Sequence, residues 1–113
     1  MIAAQTADEM KARDITLLDL TGISEVTDVF LICTVDSPRQ LRALHFRIRQ
    51  ELKKHQVKPL GREGIESDKW VLCDYGDLII HIFSAHYREF YDLELLWGDA
   101  PRIDWKAEPA EKR

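Results

Sequence analysis

The spacing of apolar and polar residues along this chain switches between two periods, and the switches mark out its elements. From Ile2 to Arg13 an Ala-rich segment with scattered charges favours a short helix, one too short to persist unless it docks. Ile15 to Leu20 (ITLLDL) predicts a buried strand, with Gly22 as the turn signal after it. Val29 to Val35 (VFLICTV) is apolar on both alternating faces, as a central strand covered on both sides requires. The period changes at Asp36-Ser37-Pro38. Ser37 can cap a helix, Pro38 fits its first turn, and Gln40 stands at capping-box spacing from Ser37. Along that helix Leu41, Leu44, Ile48 and Leu52 recur at three- and four-residue steps and form one buried stripe. Lys53, Lys54 and His55 fall in its last turn, where positive charge complements the helix dipole, and Pro59 rules out continuation.

Between Pro59 and Lys69, two glycines and five charged side chains predict an exposed connection, with room for a weak edge strand over Lys58 to Arg62. Trp70 to Asp74 and Leu78 to Phe83 read as strands joined by Tyr75-Gly76-Asp77, a hairpin. Ser84 can cap a last helix running through Tyr87, Phe90, Tyr91, Leu93, Leu96 and Trp97 to Gly98, with Pro101 just beyond. The pattern therefore predicts one domain over residues 1–98 and a polar, flexible tail over residues 99–113, with no internal repeat. A strand-helix-strand step at the centre predicts a parallel crossover, and the late hairpin must be antiparallel. The fold class is then α/β or α+β, a mixed β-sheet packed with helices.

Composition narrows the function classes. A chain of 113 residues with 45% apolar residues, three Trp, three Tyr and four Phe holds the material for one packed core without metal or disulfide staples. A net charge of -4 argues against a primary grip on phosphates and is more compatible with a basic protein partner. Cys33 and Cys73 lie inside apolar runs and lack ligand spacing, so both read as buried thiols suited to a reducing compartment. Met1 to Lys11 has no basic segment followed by an apolar run, and no window approaches the roughly 18 apolar residues of a membrane span, so a cytoplasmic protein without a membrane contact is expected. No cofactor or metal is expected.

Few residues invite chemistry. Asp74 and Asp77 flank a turn, where Asp side chains bond nearby amides, and that role is preferred over a carboxylate pair. His81 stands between Ile80 and Ile82 and is open to three readings: a hydrogen-bonded core histidine, a partner contact, or a catalytic base. On the hairpin Leu78, Ile80 and Ile82 share one face, and Ile79, His81 and Phe83 the other. Trp70, Leu72 and Asp74 likewise oppose Val71 and Cys73. Helices covering only one face would leave an apolar patch with Trp70 and His81 for a partner; helices on both would make these residues core. Gly61-Arg62-Glu63-Gly64 lacks the rest of a phosphate loop and reads as a turn. Arg39, Arg42, Arg47, Arg49, Lys53 and Lys54 read as a solvated helix face, with a secondary contact to RNA left open.

Taken in order, Gly61, Gly64, Trp70, Asp74, Gly76, Asp77, His81, Phe83, Arg88, Tyr91, Leu93, Glu94, Leu96 and Trp97 form a pattern that resembles the bacterial ribosomal silencing factors, the RsfS or Iojap family. Upstream, Thr27-Asp28-Val29-Phe30 and Thr34-x-x-Ser37-x-Arg39-Gln40 look like the same family's strand and helix-start signature. Val35 stands where many members have Gly, and the amino-terminal helix looks shortened. The resemblance implies a nucleotidyltransferase-like fold, yet neither a Gly-Ser or Gly-Gly pair nor the Asp-x-Asp pair of active nucleotidyltransferases stands at the matching place, so no enzyme is expected. It implies binding to large-subunit ribosomal protein fourteen (L14), a steric block on subunit association, repressed translation under nutrient limitation, and a role in large-subunit biogenesis. The expected contact surface has Trp70 as apolar anchor, Glu63, Glu66, Asp74 and Asp77 as acidic partners, His81 and Tyr75 nearby, and Tyr91, Glu94, Leu95 and Trp97 from the last helix. A secondary ribosomal RNA contact and a homodimer in isolation are further expectations. A nucleotide-binding or nucleotidyltransferase-like enzyme is the alternative.

Overall fold

The two most apolar runs of the chain take the interior of a four-stranded sheet. The structure, a computed structural model, describes residues 1–25, 27–60, 69–90 and 100–105. Its elements are α1 (Ile2–Glu9), β1 (Arg13–Asp19), β2 (Val29–Val35), α2 (Pro38–Lys54), β3 (Trp70–Asp74), β4 (Leu78–Ser84) and α3 (Ala85–Phe90). The sheet order is β1-β2-β4-β3. β2 and β4 pair in parallel, while β1 with β2 and β3 with β4 pair antiparallel, so the sheet is mixed and the class α+β.

One connection differs from the expected crossover. β3 runs opposite to β2 and occupies the far edge, and the parallel neighbour of β2 is β4. The reason is burial: β4 is buried from Ile79 to Phe83, whereas β3 alternates buried and half-buried residues. The strand with two apolar faces takes the interior place, and its hairpin partner is left at the edge.

α1 and α2 cover one face of the sheet. Ala3, Ala4 and Ala7 of α1 and Leu41, Leu44, Ile48 and Leu52 of α2 pack on Leu17, Leu31, Cys33, Val35, Val71, Cys73, Ile80 and Ile82. α2 starts as its sequence requires, with Ser37 accepting a hydrogen bond from the Gln40 amide at 3.0 Å. The Gln40 side chain accepts from the Asp36 amide at 2.8 Å and donates to the Met10 and Lys11 carbonyls at 3.2 Å each, tying α1 to α2. α1 stops at Glu9, short of the expected Arg13. Lys11 adopts a left-handed φ of 70°, and the Ala12 amide closes back on the Ala7 carbonyl at 2.9 Å, the hydrogen-bond pattern that ends a helix.

The opposite face carries a second cluster: Leu18, Leu20, Ile32, Phe83 and Ala100, with Phe30, Trp70 and Tyr87 packed against it. Ser84 caps α3 by accepting from the Tyr87 amide at 3.3 Å. Between Arg13 and Thr16 the β1 ladder is irregular, and the Asp14 carbonyl accepts from Arg88 at 3.3 Å while Arg88 also donates to the Thr34 hydroxyl at 2.7 Å. One guanidinium thus fastens α3 to both strands.

Residues 100–105, which composition alone assigns to a loose tail, lie along β1. The Asp19 amide donates to the Pro101 carbonyl at 2.8 Å and the Ile103 amide to the Leu17 carbonyl at 2.9 Å, while Ala100 and Trp105 are buried. Apolar Ile103 and Trp105 supply the packing that the surrounding polar residues conceal. Lys58 to Leu60 form no strand, although the Leu60 amide donates to the Asp74 carbonyl at 2.6 Å. The remainder of the expected weak strand, the part of the expected last helix beyond Phe90 and residues 106–113 lie outside the described residues.

Candidate functional site

The β3–β4 register decides which candidate residues can act together. Trp70 pairs with Phe83, Leu72 with His81 and Asp74 with Ile79, so Trp70, His81 and Phe83 stand on one face of adjacent strands. Their rings form a layer. Trp70 and Phe83 stack with centroids 5.3 Å apart, His81 lies parallel to both, and Phe30 meets His81 edge-on at 4.7 Å. Trp70 Nε1–H donates to His81 Nδ1 at 3.2 Å. Because Nδ1 accepts, the proton of the neutral ring sits on Nε2.

His81 is 4% exposed, and its Nε2 is buried with no hydrogen-bond partner among the described residues. Burial pushes its imidazole down to about 4, so the ring is neutral at physiological pH. Of its three readings the geometry supports the core one: the imidazole is the acceptor that fixes the Trp70 indole. A group with so low a pKa is a weak base at neutral pH. Phe83 is fully buried, while Trp70, Leu72, Phe30 and Tyr87 are half-buried, so the second sheet face is core at its centre and partly open around it.

The remaining expected contact residues separate. Asp74 accepts from the Gly76 amide at 2.9 Å, the turn role predicted for it, and is half-buried. Asp77 is exposed, and its carbonyl accepts from the Asp28 and Val29 amides at 3.2 and 3.0 Å, which holds the hairpin against the start of β2. Tyr75 belongs to the α2 side of the sheet, not beside His81. Its hydroxyl is buried with no hydrogen-bond partner among the described residues, and burial raises its pKa to about 12. Glu63, Glu66, Tyr91, Glu94, Leu95 and Trp97 lie outside the described residues.

One residue at this site was not singled out from sequence. Leu60 is 74% exposed, and its Cδ1 lies 3.6 Å from where a Cβ on Gly76 would stand. The turn needs that glycine, whose φ is 91°. Leu60, Asp74 and Asp77 thus gather an apolar tip and two carboxylates at one end of the hairpin. The available signal was a large apolar residue inside a largely polar stretch.

This arrangement defines a small mixed-sheet domain whose candidate site is a surface at an edge hairpin, and among the described residues no group of His, Cys, Asp and Glu is placed to hold a metal. No helix among the described residues is long and apolar enough to cross a membrane. Over residues 1–113 the chain matches the family model described as "Ribosomal silencing factor during starvation" (RsfS), and it belongs to that family. It is 42% identical over 103 residues to ribosomal silencing factor RsfS of Bacillus subtilis, covering 91% of this chain and 87% of that one. A crystal structure of a protein from Chromobacterium violaceum superposes with a TM-score of 0.82 at 36% identity, covering 86% of this chain and 81% of that one. A mouse protein named "Mitochondrial assembly of ribosomal large subunit protein 1" is 34% identical over 89 residues, 76% of this chain and 39% of its own length. The family and the α+β fold thus agree with the resemblance read from the sequence.

Proposed function

We propose that this protein binds the large ribosomal subunit in the cytoplasm through ribosomal protein fourteen and there blocks association with the small subunit, repressing translation when nutrients run short. The observation that carries this reading is the family match across the whole chain. The named role of the mouse relative adds large-subunit biogenesis as a second use of the same docking. The physical support is charge. α2 holds six of the sixteen basic residues and one of the twenty acidic ones, so the rest of the chain carries -9 where the whole carries -4. Such a surface suits a basic ribosomal protein, and the hairpin end with Leu60, Asp74, Asp77 and the half-buried Trp70 offers acidic groups around apolar contacts. The protein acts by occupancy, without catalysis, and self-association in isolation uses the same surface.

Co-sedimentation with purified large and small subunits tests the reading, followed by a subunit-joining assay. Selective binding to the large subunit with joining blocked is the expected result. Binding to neither subunit, with heat released on titrating nucleoside triphosphate and magnesium, would replace it with a nucleotide-binding function.

A further inference from the structure

We infer that the outward face of α2 is an RNA-docking surface, a row of Arg39, Arg42, Phe46, Arg49 and Lys53 that receives a phosphate backbone and sets Phe46 against an unstacked base. The inference rests on the large-subunit reading above, since it supplies the RNA beside a protein contact.

The five residues follow one another at steps of three, four, three and four, which places them in a single line on a helix. At 1.5 Å per residue the line is about 21 Å long. It lies off the buried stripe of Leu41, Leu44, Ile48 and Leu52, with Arg39, Arg42, Phe46 and Lys53 exposed and Arg49 half-buried. Four positions are cationic and none acidic. The one acid of α2, Glu51, is off the line and held by Arg47 at 3.2 Å and Lys54 at 3.1 Å, so it does not neutralise the row. Phe46, at the middle, is 61% exposed, and beside it Arg49 and Lys53 help to line a shallow concavity of about 530 Å³.

Charge and aromatic placement together select the occupant. The net acidity of the chain argued against a phosphate grip, but that average hides a helix of +5 set against a remainder of -9. An acidic peptide would satisfy the cations alone. RNA satisfies the cations through its phosphates and an exposed ring through base stacking, the combination used by surfaces that hold unpaired nucleotides.

The test compares wild type, an Arg39→Gln/Lys53→Gln double variant and Phe46→Ala in binding to large subunits, to isolated ribosomal protein fourteen and to deproteinised large-subunit RNA, across a potassium chloride series. All changes are at exposed positions, and thermal melting confirms that the fold is intact. The double variant is expected to lower the salt slope on subunits and on free RNA by about 1.4 to 1.8, two phosphate contacts' worth, with binding to the isolated protein unchanged. Phe46→Ala is expected to weaken RNA binding about five- to hundredfold. Loss on free RNA upholds the RNA face even where wild type fails to bind subunits, an outcome that would overturn only the silencing reading. Subunit and free-RNA binding insensitive to all three changes, or a face competed by polyglutamate and not by RNA, overturns the inference.

Discussion

Acidification should destabilise this protein well above the carboxylate range, and His81 should be the cause. The folded state holds the imidazole neutral, with a pKa near 4, whereas an unfolded chain releases it to about 6.5. Between those values the unfolded chain binds the extra proton, so stability rises with pH and is lost as pH falls through the window. The loss between pH 7 and pH 5 is about 2 kcal/mol, and the full loss on reaching pH 4 approaches 3 kcal/mol. Against a total of roughly 5 to 15 kcal/mol for a domain of ordinary stability, that is a large fraction.

Urea unfolding followed by circular dichroism at pH 7, 6 and 5 measures it, and the midpoint should fall by about 1 M across the series. His81→Phe is the control. It keeps a ring between Phe30 and Phe83 but leaves the Trp70 indole N–H without its acceptor, at a cost of about 1 to 3 kcal/mol that does not vary with pH. The variant should therefore start lower and stay flat. A wild-type midpoint that is flat from pH 7 to 5, or a variant with the same slope as wild type, would refute a buried neutral His81.

Trp70→Ala removes a stacked ring and a hydrogen-bond donor at once, and should lower stability by about 3 kcal/mol in the same urea assay, whereas Leu60→Asp should leave the midpoint within about 0.5 kcal/mol and weaken large-subunit binding. Ser37→Ala should cost about 1 kcal/mol, since the hydroxyl satisfies the Gln40 amide at the start of α2. Cys33, with burial raising its thiol to about 12, and Cys73, also buried, should resist a thiol reagent in native buffer and react promptly in denaturant. Prompt native labelling of either thiol would place it at the surface.

What could be read from the sequence was whatever local spacing decides. β2 and the start of α2 fall where the VFLICTV run and the Ser37-Pro38-Gln40 signal put them, because a strand covered on both faces and a capped helix each write their period into the chain. The alternation also grouped His81 with Phe83 on one strand and Trp70 with Leu72 on the other, and the β3–β4 register brings the two sets onto one face. Strand order was not legible: a hairpin can present either member to β2, and the choice depends on how completely each is buried, a property of the assembled layers. The docking of residues 100–105 was hidden for a similar reason, since Ile103 and Trp105 show no period and gain their meaning only from β1. Burial of Tyr75 follows from which side of the sheet α2 covers.

The aromatic layer and the candidate surface belong to the same hairpin, and this bears on how binding can be dissected. Trp70 is held by Phe83 and His81, whose burial is possible only while the imidazole stays neutral. The register of β3 on β4 then sets where Asp74 and Asp77 project, and the Gly76 turn sets where Leu60 rests. A loss of subunit binding on replacing Trp70 would therefore mix a lost contact with a loosened hairpin. Substitutions at Leu60 and Asp77 touch only the exposed end, so they separate docking from folding. If those two changes leave subunit binding intact while Trp70→Ala abolishes it in a variant that is still folded under the assay conditions, the contact lies on the indole and not at the hairpin end.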